Sequence, residues 1–78
     1  MSIDAQRLLD GLGGKDNLKD VEACITRLRV EVHQASDVDE TVLREAGAFG
    51  VVVQDHVIQV VVGPVADDLS EEIAALCS

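Results

Sequence analysis

Aromatic side chains are nearly absent from this sequence, because Phe49 is its only aromatic residue and both Trp and Tyr are missing. Proteins that bind RNA or single strands stack the bases on aromatic rings. Basic residues are also few, since 6 Lys and Arg stand against 15 Asp and Glu and leave a formal net charge of −9. Lys and Arg dominate the affinity for nucleic-acid phosphates. The composition therefore argues against a nucleic-acid partner.

Long apolar runs are missing as well. The longest, residues 57–62, is interrupted by Gln59 and is far shorter than the roughly 20 residues that a membrane span needs. The N-terminus lacks the basic start and apolar stretch of a signal peptide. Cys24 and Cys77 lie far apart in the sequence, which argues against a disulfide framework. We expect a cytoplasmic protein that forms a single domain over residues 1–78.

The hydrophobic pattern predicts three helices and four strands. Leucines at helical spacing predict a helix over residues 3–12, with Ser2 or Asp4 near its N-cap. A second helix begins at Asp37 or Asp39, and the last begins at residue 67 or 68 with the stripe Leu69, Ile73 and Leu76. Alternating apolar residues predict strands over residues 21–25, 28–33, 51–54 and 57–62. Residues 15–20 are expected to form a loop or a short turn.

These elements follow one another in the order α-β-β-α-β-β-α. The connections within the two strand pairs are too short for parallel crossovers, so both pairs should be antiparallel hairpins. Three amphipathic helices then pack most economically on one face of a four-stranded sheet. The predicted fold is therefore an α+β two-layer sandwich with an aliphatic core.

Cys24 lies on the polar side of the first predicted strand, since the inward set there is Val21, Ala23 and Ile25. Free cysteines are usually buried, but burying this one would expose the inward set. In the second strand, Leu28, Val30 and Val32 point inward, whereas Arg27 and Arg29 belong to the polar side near the thiol.

A thiol beside two guanidinium groups has a chemical consequence. Adjacent positive charge favours the thiolate, which is the nucleophilic form, and the planar guanidinium suits phosphate oxygens. Backbone N–H groups in the turn after Cys24 could also cradle such oxygens. The pattern predicts a phosphoryl acceptor at Cys24, with Thr26, Arg27 and Arg29 around it. Solvated hairpin charges are the alternative interpretation of the two arginines.

The segment around Cys24 resembles the phosphorylation-site segment of the enzyme IIB domain of the sugar phosphotransferase system (PTS), glucose/N-acetylglucosamine branch. That family's pattern is Asn and an apolar residue, five residues, and then Cys-x-Thr-Arg followed by alternating apolar positions. The chain matches it with Asn17–Leu18, Cys24 and Thr26–Arg27. The stretches LGGKDN, AGAFGVVV and IQVVVG are also similar to the rest of that domain, so the resemblance extends from about residue 8 onward.

The resemblance implies a relay. A phosphohistidine on a IIA component donates to Cys24, which passes the phosphoryl group to the 6-hydroxyl of a sugar held by the membrane-embedded IIC component. Arg27 and Arg29 are then the positive partners in transfer to the sugar, and Thr26 is a hydrogen-bond donor to the phosphate. It also implies four antiparallel strands with three helices on one face. We expect no cofactor, no metal, a monomer, and transient contact with the inner face of the cell membrane.

Several alternatives remain open at this point. The sugar can be glucose or N-acetylglucosamine, and the chain can be free-standing or excised from a longer fusion, with the start at Met1 favouring the free-standing form. A regulatory module that sequesters a partner according to phosphorylation state is the second functional hypothesis. A thiol redox protein is the third, and it lacks a C-x-x-C motif.

Other candidate residues carry weaker signals. Cys77 has no Thr or Arg near it in the sequence and is interpreted as a bystander. His33 and His56 show no metal-ligand spacing. Three valines of the last two strands are expected on the sheet face away from the helices, where they can form a docking surface for IIA or IIC or simply reflect strand propensity. These valines are Val52, Val57 and Val61.

Overall fold

The computed structural model describes residues 3–77, in which three helices and four strands follow the predicted order. The helices are α1 (Ala5–Gly11), α2 (Glu40–Glu45) and α3 (Ala66–Leu76). The strands are β1 (Leu18–Cys24), β2 (Arg27–Val32), β3 (Gly50–Gln54) and β4 (Val57–Val61). Short 3₁₀ turns at Lys15–Asn17, Ala35–Asp37 and Gly63–Val65 precede β1, α2 and α3.

The four strands form one antiparallel sheet in the order β1-β2-β4-β3. The two hairpins are therefore joined through their second strands, β2 and β4. At one end of the sheet the register places Cys24 opposite Arg27, Arg27 opposite Val61, and Val61 opposite Gly50. Because side chains alternate along a strand, Cys24, Arg27 and Arg29 project from the same face.

The opposite face of the sheet carries the core. The alternate residues of β2 and β4 are buried under the helices, as are the apolar stripes of the helices themselves. The sheet contributes Leu28, Val30, Val32, Ile58 and Val60, and the helices contribute Leu8, Leu9, Leu43, Leu69 and Ile73. This arrangement confirms the predicted two-layer α+β sandwich with an aliphatic core.

The helix N-termini agree in part with the sequence predictions. Asp4 caps α1 by accepting a hydrogen bond from the backbone N–H of Gln6, at 2.9 Å, whereas Ser2 lies outside the described residues. Asp39, not Asp37, caps α2. Helix α3 begins at Ala66, one or two residues before the predicted start, which leaves the two aspartates in the first turn where the helix dipole favours negative charge.

Three further predictions are wrong in detail. Ile25 does not belong to the inward set of β1, because the strand ends at Cys24 and the tight connection to β2 places Ile25 in the turn. β1 begins at Leu18 within the predicted loop, since its first residues pair with the end of β2 as an edge strand. Leu76 is exposed although its helical spacing placed it in the core stripe, because it lies in the last turn of α3.

The side chain of Asn17 connects the start of β1 to two neighbouring segments by hydrogen bonds. Its side-chain amide is buried, and Nδ2 donates to the carbonyls of Leu12 at 2.7 Å and Gln34 at 3.0 Å. Oδ1 accepts from the backbone N–H of Gln34 at 2.8 Å. Gly13, with φ 102°, leaves room for this amide, since a Cβ there would lie 2.5 Å from Nδ2. Asn17 is thus a structural residue just before the start of β1, whereas Cys24 lies at the other end of that strand.

Candidate functional site

The turn between β1 and β2 holds Cys24 at an edge of the sheet. Only Ile25 and Thr26 connect the two strands. The carbonyl of Thr26 accepts two hydrogen bonds, from the backbone N–H groups of Val62 at 2.9 Å and Gly63 at 3.0 Å. The two residues that follow β4 therefore fix the position of the turn and of the thiol beside it.

Ile25 occupies an unusual position in this turn. Its φ is 59°, a backbone conformation that strains a β-branched residue. Its side chain is also 89% exposed, the most exposed large apolar residue in the described part of the chain. The turn therefore presents a strained, solvent-facing apolar side chain directly beside the thiol.

The structure brings the four predicted site residues together. Cys24, Thr26, Arg27 and Arg29 surround a shallow pocket of about 330 Å³, which Ile25 and Gln59 complete. Cys24 is a free thiol and is exposed. The pocket is open to solvent at the rim of the sheet, so a macromolecular partner can reach the sulfur.

The register of β1 and β2 places the carboxylate of Glu22 opposite Arg29, but Glu22 forms no ion pair with either arginine of this pocket. Within residues 3–77 the ion pair is Lys19–Glu31, at 4.0 Å, so neither Arg27 nor Arg29 pairs with an acid. Arg27 donates from Nη1 to Oε1 of Gln59 at 2.9 Å. The two guanidinium groups thus form a local positive site on a chain of net charge −9.

Sequence analysis missed Gln59 as a site residue. In the sequence, the only sign of Gln59 was an amide side chain in the middle of an apolar run, and that run forms β4. The register places Gln59 opposite Arg29, on the outer face, and its side chain reaches Arg27. Without knowledge that β4 lies beside β2, the sequence offered no reason to connect this amide with the arginines. We interpret Gln59 as the residue that orients Arg27.

Replacing Gln59 by leucine should lower the rate of the predicted phosphoryl transfer at Cys24 roughly fivefold, which corresponds to about 1 kcal/mol for the loss of an exposed hydrogen bond. Gln54→Leu is the matched control, since Gln54 also lies on an outer strand surface but does not line the pocket. Transfer assays on both variants, with urea unfolding to compare stability, measure the effect. Equal rates in the two variants would contradict this role.

The remaining candidates lie away from the pocket. Cys77 is half-buried and packs against the core. His33 and His56 are exposed near the other end of the sheet, where β2 ends and β4 begins. Among residues 3–77 no cluster of three or more His, Cys, Asp or Glu side chains can hold a metal ion. None of the described helices is long and apolar enough to cross a membrane.

The sheet face that carries the site also carries apolar residues. The register places Val52, Val57 and Val61 there, as predicted. Val52 is exposed and the other two are half-buried. Their use as a docking surface stays a prediction.

Comparisons with known proteins give the family. A family model described as phosphotransferase system, EIIB, matches residues 6–39. The "PTS system N-acetylglucosamine-specific EIIB component" of Streptomyces coelicolor is 48% identical over 73 residues, which cover 94% of this chain and 95% of that protein. The fold is similar to the crystal structure of one domain of the PTS system IIabc component from Clostridium difficile. The TM-score is 0.76 at 22% identity, over 91% of this chain and 75% of that one.

The identity to the Streptomyces coelicolor protein extends over nearly the full length of both chains, which confirms the resemblance found in the sequence. EIIB components are phosphotransferases of sugar transport. The chain belongs to the EIIB family of the phosphotransferase system.

Proposed function

We propose that this chain is a phosphoryl carrier whose Cys24 accepts a phosphoryl group from a phosphohistidine of the IIA component. It then passes the group to the 6-hydroxyl of a sugar bound by the IIC membrane component. The observation that carries the proposal is the exposed Cys24 thiol in one pocket with Arg27 and Arg29. Receiving from one macromolecule and donating to another requires a nucleophile at an open rim rather than in a deep cavity.

In the first step, the sulfur of Cys24 attacks the phosphorus of the phosphohistidine. The S–P bond forms as the N–P bond breaks, and the proton lost by the thiol balances the proton taken up by the imidazole. The thiolate is the attacking form, and Arg27 and Arg29 line the pocket beside the sulfur.

In the second step, the sugar 6-hydroxyl attacks the phosphorus of S-phosphocysteine. The O–P bond forms and the S–P bond breaks. The leaving sulfur takes up the hydroxyl proton, which regenerates the thiol. Phosphoryl transfer passes through a loose transition state with charge on the equatorial oxygens, so positioning and positive charge provide most of the rate enhancement. Arg27 and Arg29 supply that charge in the proposed mechanism.

The two arginines contribute in different ways. Arg27 is oriented by Gln59, so its guanidinium is positioned before the phosphoryl group arrives. Arg29 has no ion-pair partner within the described residues and can follow the group as it moves between partners. The hydroxyl of Thr26 donates a hydrogen bond to a phosphate oxygen, and the N–H groups of the turn provide further donors.

N-acetylglucosamine is the sugar that the comparisons favour, because the 48% identical relative is named as specific for it. The sugar itself binds to IIC, so this chain contributes the phosphoryl group and not the specificity pocket. The working location that follows is the cytoplasm, with transient contact at the inner face of the cell membrane.

The test is to incubate the chain with ³²P-phosphorylated IIA and to locate the label by mass spectrometry of peptides. A phosphoryl group on the peptide that contains Cys24, and its loss when IIC-containing vesicles and N-acetylglucosamine are added, is the expected result. Label on another residue would overturn the proposal. Labelling of Cys24 without transfer to any sugar, together with capture of a regulator only in one phosphorylation state, would instead favour the regulatory module.

A further inference from the structure

A second surface lies next to the site on the helical side of the molecule. It is an apolar groove of about 540 Å³ between the end of α2, the 3₁₀ turn Gly63–Val65 and α3. Phe49, the only aromatic residue of the chain, is 77% exposed. It forms one wall of the groove with Pro64 and Val65. We call this surface, together with the adjoining cavity beside Ile3 and Leu76, the α2–α3 groove.

The rim of the α2–α3 groove is uniformly acidic. Glu45, Asp68 and Glu72 line the larger cavity, and Asp4 joins Glu72 along the smaller one. No Lys or Arg is among the residues that line either cavity in the described part of the chain. An apolar floor with carboxylates around it complements an amphipathic segment that has basic side chains beside its apolar ones.

The groove adjoins the phosphoryl-transfer site directly. Cε2 of Phe49 lies 3.3 Å from the position that a Cβ on Gly63 would occupy. Gly63 in turn donates its N–H to the carbonyl of Thr26, a residue of the site pocket. A partner that covers Phe49 therefore also faces the Cys24 turn.

We propose that the α2–α3 groove binds a basic, amphipathic segment on the cytoplasmic surface of the IIC membrane component. This inference rests on the proposed function, which makes IIC a partner. Cytoplasmic loops of membrane proteins carry an excess of Lys and Arg, which complements the acidic rim. A second copy of this chain would bring two acidic rims together, and the anionic inner leaflet repels a chain of net charge −9.

The test compares charge reversals on two faces of the same helix. Asp68→Lys with Glu72→Lys alters the groove, whereas Asp67→Lys with Glu71→Lys changes the charge equally on α3 residues that do not line it. Binding of each chain is measured by co-sedimentation with vesicles that contain the IIC component of an N-acetylglucosamine phosphotransferase system, and with the same vesicles lacking it. The groove variant should bind about tenfold more weakly, and the control pair should stay within about twofold of wild type.

A second pair of variants tests the apolar wall. Phe49→Ala removes the exposed ring, and Val53→Ala removes an exposed apolar side chain outside the groove. Only Phe49→Ala should weaken binding to the IIC vesicles, and both variants should accept phosphoryl groups from IIA at the wild-type rate. Added NaCl should weaken wild-type binding more than that of the charge-reversed groove variant.

The outcomes separate this inference from the proposed function. Equal effects of the groove and control variants, or equal binding to vesicles with and without IIC, would overturn the inference. Concentration-dependent dimerisation that the groove variant abolishes would assign the groove to a second copy and also overturn it. If Cys24 accepts no phosphoryl group but groove-dependent binding to IIC vesicles persists, the proposed carrier function fails and the docking inference stands.

Discussion

Cys24→Ser should abolish phosphoryl acceptance from IIA, with a loss of at least about a hundredfold, because a serine hydroxyl is a far weaker nucleophile than a thiolate unless a general base activates it. The site pocket offers no such base, since its other side chains are Ile25, Thr26, Arg27, Arg29 and Gln59. The measurement is the initial rate of label transfer from ³²P-labelled IIA.

Cys77→Ser provides the matched control for this prediction. Cys77 is the other free thiol in the described residues, and it is half-buried against the core. Its substitution should leave the transfer rate unchanged. Because Cys24 is exposed, Cys24→Ser should change the free energy of unfolding by less than about 0.5 kcal/mol, so lost transfer cannot be assigned to unfolding. Label that persists in Cys24→Ser would refute the acceptor role.

Asn17→Leu should lower the free energy of unfolding by about 3 kcal/mol, because it leaves two backbone groups without partners at a cost of roughly 1–3 kcal/mol for each one that stays buried. These groups are the carbonyl of Leu12 and the N–H of Gln34, whereas the carbonyl of Gln34 keeps the hydrogen bond that it accepts from the backbone N–H of Asp37 at 3.1 Å. Asn17 is only 5% exposed, so water cannot readily replace the amide. The loss is large for a small domain, whose total stability is about 5–15 kcal/mol. Urea unfolding monitored by circular dichroism measures it.

The control for Asn17 uses its own partner. Gln34 contributes its backbone and not its side chain to the contact, and the residue is exposed. Gln34→Ala should therefore change the free energy of unfolding by no more than about 0.5 kcal/mol. A loss below about 1 kcal/mol in Asn17→Leu would show that the amide does not stabilise the fold as inferred. Phosphoryl transfer by the folded fraction of Asn17→Leu should stay near wild type, because Asn17 lies at the far end of β1 from Cys24.

Local pattern was sufficient to predict the strands that carry the site. In β2 the apolar residues alternate with the arginines, and this period of two reflects one buried and one open face of the sheet. The same phase placed Cys24 on the open face. The error at Ile25 arose because a turn can hold an apolar residue at positive φ, and its side-chain type alone gives no sign of this.

Long-range pairing could not be predicted in the same way. The pattern of β4 is compatible with several positions in the sheet, and only the pairing of β2 with β4 brings Gln59 beside Arg27. The edge strand β1 shows the complementary problem, because its first residues include the charged Lys19 and Asp20 and a register shift between Leu18 and Asp20, so they look like a loop. The α2–α3 groove was equally inaccessible, since it depends on how two helices and a turn meet.

The two hydrogen bonds that the carbonyl of Thr26 accepts have a kinetic consequence for the proposed relay. Since Val62 and Gly63, which follow β4, hold this turn in place, the sulfur cannot move between two partners on a flexible loop. The reacting groups of IIA and IIC must then reach the sulfur from the same side, so the two transfers cannot occur at once. A segment of IIC held in the α2–α3 groove can stay bound while contact at the thiol alternates between the two partners, and tight association at the site pocket with either partner would slow the cycle.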